Sequence, residues 1–230
     1  MRAMILAAGR GERMRPLTDE RPKPLLEVGA RSLLEWHLAA LARAGIRDLV
    51  INHAWLGERI VEALGDGQRY GVRIQYSAER EGALETAGGI IQALPLLGSE
   101  PFLVVNGDIW TDFDFSRLPT LDEHALGCLI LVPNPPQHPR GDFALRAREG
   151  GGFDIAADGS VRYTFSGLAV YRPEFFAGHA PGRRPLLPLL LEAAAAGRLR
   201  GRLCQGLWFD IGTPERLREL DERLAGGATG

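Results

Sequence analysis

Cysteine is nearly missing from this sequence: there are 2 in 230 residues, Cys128 and Cys204, each isolated among apolar neighbours. Two separate thiols make no disulfide framework, and they support buried free cysteines in a reducing compartment. Long apolar runs are missing as well. Leu186 to Ala196 comes nearest to a membrane span, but Pro188 and Glu192 interrupt it, well short of the ~20 apolar residues that a span requires. The amino-terminal run Ala3 to Ala8 stops at Gly9-Arg10-Gly11-Glu12-Arg13, too short for the apolar centre of a secretion signal. Neither sign of charge is in excess, since 27 basic and 29 acidic residues leave a net charge of -2. No global field therefore recruits nucleic acid or an anionic membrane. The expectation is a soluble cytoplasmic protein with no nucleic-acid and no membrane partner.

Lysine is scarcer still. Of the 27 basic residues 26 are arginine, and Lys23 is the one lysine. A compact ammonium on a flexible stem grips a phosphate oxygen as a point charge, where a broad guanidinium fits poorly. A solitary lysine thus points to a phosphate, with chance survival of one surface lysine as the plain alternative. The five histidines (His37, His53, His124, His138 and His179) have no metal-ligand spacing, and His37 falls on an amphipathic helix, packed or solvated rather than catalytic. No Ser/His/Asp or Cys/His arrangement is present either.

What is present is ordinary globular composition, 45% hydrophobic and 24% charged, which excludes disorder and fibre. With no internal repeat and no long linker, one domain is expected over residues 1–230. Met4 to Ala7, Leu49 to Ile51, Val72 to Ser77 and Phe102 to Val105 have the character of buried strands. Between them, helices are expected from an N-cap at Ser32 to Ala44, from Trp55 to Leu64 and from Thr86 to Leu94. Strand, helix, strand at this spacing means parallel pairing with right-handed crossovers. From Ala125 to Tyr171 the pattern changes to short strands (Cys128 to Val132, Phe143 to Ala147, Tyr163 to Tyr171), an antiparallel insertion. Leu186 to Ala196 is expected to be helical and Leu207 to Ile211 a strand; Thr213-Pro214-Glu215 opens a last helix, and Ala225 to Gly230 is expected to fray.

The chemistry concentrates at strand ends. After the first strand comes Gly9-Arg10-Gly11-Glu12-Arg13-Met14-Arg15-Pro16-Leu17-Thr18, closing in Arg21-Pro22-Lys23-Pro24. The glycines let backbone N–H groups approach a polyphosphate, and the run from Arg10 to Lys23 carries a local net of +2. It is neither Walker A nor the dinucleotide fingerprint, because Gly-Lys-Ser/Thr is absent and Pro16 stands where a helix should open. Phe102 to Val105 runs into Asn106-Gly107-Asp108, and Trp208-Phe209 into Asp210-Ile211-Gly212-Thr213. In a parallel sheet the carboxyl ends of strands are where ligands sit. Asp108 could there hold Mg²⁺, or be the solvated end of an Asn-Gly turn. Asp210 could do the same or cap a helix. Glu79, Glu81 and Glu85, before Thr86-Ala87-Gly88-Gly89, fit a base-reading loop or a solvated acidic turn equally well.

Taken together, Leu6-Ala7-Ala8-Gly9-x-Gly11-x-Arg13-Met14-x-Pro16-Leu17-Thr18 with Pro22-Lys23-Pro24 resembles the signature of the sugar-1-phosphate nucleotidyltransferases. Asn106-Gly107-Asp108 and Trp208-x-Asp210-x-Gly212-Thr213 resemble that family's two metal-binding segments. Asn52 to Gly57, Leu84-Glu85-Thr86 with Gly88-Gly89, Arg140 to Phe143 and Thr164 to Gly167 look closest to its uridylyltransferases of cell-wall recycling. The resemblance implies a Rossmann-like (GT-A-like) three-layer α/β/α fold, with a mixed central sheet and a small inserted β layer. It implies a core of residues 1–112 and 205–225 for nucleotide and metal, and a part from 113–204 for the sugar phosphate. The implied reaction moves UMP from UTP to N-acetylmuramate 1-phosphate with Mg²⁺ as cofactor, releasing pyrophosphate.

Arg13, Lys23 and Asp108 would then be catalytic. Ala8, Gly9, Gly11, Glu12, Arg13 and Lys23 would hold the nucleotide's phosphates, with Thr86 and Gly88 facing its base. Asn106, Arg140, Gly141, Asp142 and Ser166 would contact the sugar phosphate, Arg140 being the candidate for the lactyl carboxylate of muramate. Asp108 and Asp210 would carry Mg²⁺. One departure is visible: the Glu-Lys-Pro segment of many relatives is missing around Ser160 to Thr164. No hexapeptide repeats follow the last helix, so no acyltransferase domain is expected. Three alternatives stay open: a guanylyltransferase, a thymidylyltransferase, each on mannose or glucose 1-phosphate, and a non-catalytic sensor of nucleotide sugars. The oligomeric state is open too, a monomer included.

Overall fold

Period-2 alternation in the apolar strands decides which helices cover which face of the sheet. The computed structural model describes residues 1–79 and 82–227. Its first half contains β1 (Ala3–Leu6), β2 (Glu27–Val28), β3 (Arg31–Ser32), α1 (Leu33–Arg43), β4 (Asp48–His53), α2 (Gly57–Leu64), β5 (Arg73–Ala78), α3 (Glu85–Leu97), β6 (Phe102–Asn106) and β7 (Ile109–Thr111). The rest contains β8 (Gly127–Val132), β9 (Phe143–Ala147), β10 (Phe153–Ala156), β11 (Arg162–Tyr171), α4 (Leu187–Ala195), β12 (Leu199–Leu203), β13 (Trp208–Asp210) and α5 (Pro214–Gly227).

One mixed sheet of nine strands runs in the order β5-β4-β1-β6-β11-β8-β12-β10-β9. The first four pair in parallel, as the crossover spacing requires. β11 then runs antiparallel to both β6 and β8. Ala3 and Ile5 of β1 meet Leu34, Leu38 and Leu41 of α1 and Ile60 and Leu64 of α2 on one face. Met4 meets Ala87, Ile90 and Ala93 of α3 on the other, where Leu189 and Leu190 of α4 also pack. The result is the three-layer α/β/α arrangement. A third apolar cluster (Met14, Leu33, Trp110, Ile211 and Leu220 among its members) clamps the loop after β1 to β7, β13 and α5.

Several boundaries differ from the sequence expectation. The strand-rich middle, expected as a small inserted β layer, adds its strands edge to edge to the same sheet, because β11 bridges β6 and β8. β10 and β12 were not expected. β12 is buried beside β8 although it carries arginine, since Arg200 finds Asp122 at 2.7 Å and Asp154 at 2.8 Å. β13, the strand expected over Leu207 to Ile211, leaves the main sheet and pairs antiparallel with β7. α3 continues past Leu94 through Pro95, losing one backbone donor but burying Leu97. The helix expected from Trp55 starts at Gly57, after Leu56 turns left-handed at φ 49°. α1 opens as expected on Ser32, whose side chain and backbone both bond Glu35 in a capping box. α5 opens at Pro214 and extends through Ala225 and Gly226 to Gly227; the rest of the tail expected to fray lies outside the described residues.

Candidate functional site

The carboxyl ends of β1, β4, β5 and β6 open onto a cleft of about 220 Å³, lined in part by Ala7, Ala8, Gly9, Lys23, Asn52, Glu79, Glu85, Thr86, Asn106 and Asp108. Its floor begins with the loop after β1. A Cβ at Gly9 would meet nothing within 4 Å, so the backbone there is open to a ligand. Gly11 is left-handed (φ +67°), and a Cβ on it would stand 3.0 Å from the Lys23 Cβ and 3.2 Å from the Thr18 methyl. Only glycine lets the loop fold so tightly onto the lysine stem. Thr18 Oγ1 donates to the Gly11 carbonyl at 2.9 Å and fixes that turn. Arg10 lies over the Trp55 ring, 3.6 Å from its centroid, and both donate to the Thr18 carbonyl. Glu12 is exposed in a short turn beside the cleft and is not part of its wall.

Lys23 reaches across this floor to Asp108. Its side chain is only 8% exposed, its ammonium is ion-paired with the Asp108 carboxylate, and that carboxylate is 37% exposed. Gly107 makes the turn possible, because a Cβ there would stand 2.6 Å from the Leu6 carbonyl oxygen. Beneath the turn His37 is fully buried with no hydrogen-bond partner for its Nε2. Burial lowers its pKa to about 4, against the raising influence of the Ile109 and Asn106 backbone and of Asp108.

The carboxy-terminal aspartate arrives from the neighbouring strand. Asp210 pairs with Ile109 in the β13–β7 ladder, and the Ile211 N–H donates to the Asp108 carbonyl at 2.9 Å. The two aspartates are thus backbone neighbours. Their side chains have separate partners: Asp108 holds Lys23, while Asp210 holds the Arg216 guanidinium. The first loop also reaches this point, since a Cβ on Gly212 would stand 3.3 Å from Arg13 Nη2 and 3.0 Å from Arg216 Cζ. Among the described residues no three His, Cys, Asp or Glu side chains converge as a metal cage.

The other candidates divide. Thr86 lines the cleft, but Gly88 faces away from it: its N–H donates to the Arg184 carbonyl at 3.1 Å, and its missing side chain makes room for the Gly182 carbonyl. Asn106 lines the cleft and packs against Gly167, whose absent Cβ would stand 2.6 Å from Asn106 Nδ2. Ser166 is buried, donates to the Ile130 carbonyl at 2.6 Å and shapes the bulge of β11. Its hydroxyl serves the fold. Asp142 is likewise taken up by structure, accepting from the Phe165 N–H at 2.7 Å and lying 2.9 Å from His138 Nε2. Gly141 (φ +61°) packs on Asn134 and the β11 backbone, whereas Arg140 beside it is exposed. Glu79 lines the cleft and Glu85, left-handed at φ 60°, is paired with Arg183 at 2.9 Å; Glu81 lies outside the described residues.

The sequence places Asn52 and Gly167 in segments that carry the family resemblance but gives neither residue a role of its own. Asn52 is a polar residue ending an apolar strand, which is a signal; Gly167 has meaning only beside Asn106, far away in the chain.

Comparison with known proteins bears on this site. A family model described as Nucleotidyl transferase matches residues 2–141. The N-acetylmuramate alpha-1-phosphate uridylyltransferase of Neisseria meningitidis is 53% identical over 98% of this chain and 99% of that protein. The Caulobacter vibrioides protein of the same name is 35% identical over 97% of this chain and 96% of its own length. Among solved structures, a putative glucose-1-phosphate thymidylyltransferase from Bacillus anthracis superposes with a TM-score of 0.80 at 20% identity, covering 97% of this chain and 94% of that one.

Proposed function

Because this chain belongs to the nucleotidyl transferase family, we propose that it transfers UMP from UTP to N-acetylmuramate α-1-phosphate, forming UDP-N-acetylmuramate and pyrophosphate. The setting proposed is cytoplasmic reuse of cell-wall sugar. Similarity to two uridylyltransferases of that name over nearly the whole chain supports the choice of base and sugar. The observation that carries the chemistry is the buried Lys23 ammonium, paired with Asp108 at the foot of an open glycine loop.

In-line attack of a sugar phosphate on the α phosphorus needs no covalent nucleophile and no protein base. It needs alignment and neutralisation of charge. Lys23 and Arg13 supply positive charge at the phosphates, and the backbone of Ala8, Gly9 and Gly11 supplies N–H donors. Asn106, held in place by Gly167, presents its amide to the acceptor. Arg140 is exposed beside Gly141 and remains the proposed partner of the lactyl carboxylate.

Mg²⁺ fits the residues present. It takes one or two carboxylates and completes its shell with phosphate oxygens and water, so a cage of three acidic side chains is unnecessary. Asp108 and Asp210 would hold it, and each is paired with a cationic side chain, as expected of a spot whose potential favours cations. Once bound, the ion would neutralise the charge that develops on the leaving pyrophosphate.

The test is pyrophosphate release by the purified protein, with UTP, GTP and dTTP each offered N-acetylmuramate, N-acetylglucosamine, mannose and glucose 1-phosphates, with and without Mg²⁺. Turnover should be highest with UTP and the muramate, and should disappear under chelation. Faster release with GTP and mannose 1-phosphate would replace this reading with the guanylyl one.

A further inference from the structure

A chain of buried hydrogen bonds crosses the cleft floor. The Ala7 N–H, the first donor beyond β1, donates to Asn52 Oδ1 at 2.9 Å. Asn52 Nδ2 donates to Glu79 Oε1 at 2.6 Å, and the Leu84 N–H donates to Glu79 Oε2 at 2.7 Å. Asn52 and Glu79 are 3% and 4% exposed, yet they lie at the carboxyl ends of two adjacent strands and line the cleft, Asn52 within β4 and Glu79 just after β5. Gly89 makes the space for them: a Cβ there would stand 2.5 Å from Glu79 Oε1 and 2.8 Å from Asn52 Nδ2. Among the described residues the partners of this buried carboxylate are neutral donors, an arrangement that is costly to keep, and each bond is stronger for the low dielectric around it. The chain ends, moreover, on two cleft walls, the glycine loop at Ala7–Gly9 and the turn at Ala83–Thr86.

We propose that Asn52 and Glu79 are positioning residues that lock the phosphate-side loop and the Ala83–Thr86 turn into one unit, so that a nucleoside triphosphate meets both walls already set relative to each other. The inference rests on the nucleotide-binding reading above. It goes further in giving two residues that line the cleft a role in joining its walls, apart from any contact with the base. Rigid coupling lowers the ordering cost of binding for the nucleotide, not for the sugar phosphate.

A donor–acceptor swap tests it. Asn52→Asp sets two carboxylates against each other, and Glu79→Gln sets an amide donor against the Asn52 amide. The double variant Asn52→Asp/Glu79→Gln restores every bond: the new amide at 79 donates to the new carboxylate at 52, which still accepts from Ala7, and its oxygen still accepts from Leu84. Only the charge has moved, by one side chain. Each single variant should raise KM for UTP roughly tenfold, the scale of one spoiled buried bond, with KM for the sugar phosphate unchanged. The double variant should return close to wild type.

Hydrogen exchange of the ligand-free proteins gives a readout independent of turnover. Glu79→Gln should speed exchange at Ala7–Gly9 and Asn52→Asp at Ala83–Thr86, each at the wall that its substituted side chain does not touch. Exchange altered only at the touched wall, or a double variant no better than its parents, would overturn the coupling. Failure of the wild type to turn over any triphosphate would instead overturn the functional reading, and the exchange result would still decide the coupling.

Discussion

At the scale of single residues, Lys23 carries the most. Its rarity marks it in the sequence, and the structure places it buried, stem against Gly11 and ammonium on Asp108. What the sequence could not reveal was the partner, because that pair forms across a turn far along the chain. Lys23→Ala should lower kcat by roughly 10²–10³, as expected for one charge that stabilises the transition state. Lys23→Arg should not rescue it, since a guanidinium is too broad beside Gly11 and Thr18. Melting temperature should barely move, because Asp108 is partly hydrated; near-normal turnover of Lys23→Ala would remove Lys23 from the chemistry, and near-normal turnover of Lys23→Arg would show that charge alone suffices.

His37 makes a second claim at this scale. Folded, it stays neutral down to about pH 4, while the unfolded chain takes up its proton near the ordinary value of 6.5. Its contribution to stability is therefore complete above pH 6.5 and drains away on acidification until the folded protein protonates too, on the order of 3 kcal/mol in all. Urea unfolding between pH 7.5 and 4.5 should show this slope in the wild type and a shallower one in His37→Leu. Parallel slopes would contradict it.

At the scale of elements, the apolar strands and the amphipathic helices were legible because burial writes a period into the chain. Irregular elements were not. β12 looks unlike a strand because Arg200 interrupts it, and Asp122 and Asp154, from other segments, together with the Gly197 carbonyl make that burial tolerable. The bulge of β11 was equally invisible, and with it the structural use of Ser166, whose hydroxyl satisfies the bulged backbone. Gly167 in that bulge adopts φ +80° with Asn106 against it. Gly167→Ala combines left-handed strain with a clash and should cost about 1–3 kcal/mol in urea unfolding. It should also weaken sugar-phosphate binding more than UTP binding. Unchanged stability would mean that Asn106 has other room.

At the scale of the whole molecule, the decisive event is the meeting of distant segments. β13 leaves the main sheet to pair with β7, and this brings Asp210 beside the Asp108 turn and Gly212 against Arg13. Sequence spacing could nominate these residues but not join them, since pairing partners are chosen by packing around Trp110, Ile211 and Leu220. The most direct test of the account is a crystal structure with UTP and Mn²⁺, the ion located by its anomalous scattering. One metal should be held by Asp108 and Asp210 together, with the Lys23 ammonium withdrawn from Asp108 onto a phosphate oxygen. A metal bound elsewhere, or Lys23 still paired with Asp108 beneath a fully occupied nucleotide, would contradict it.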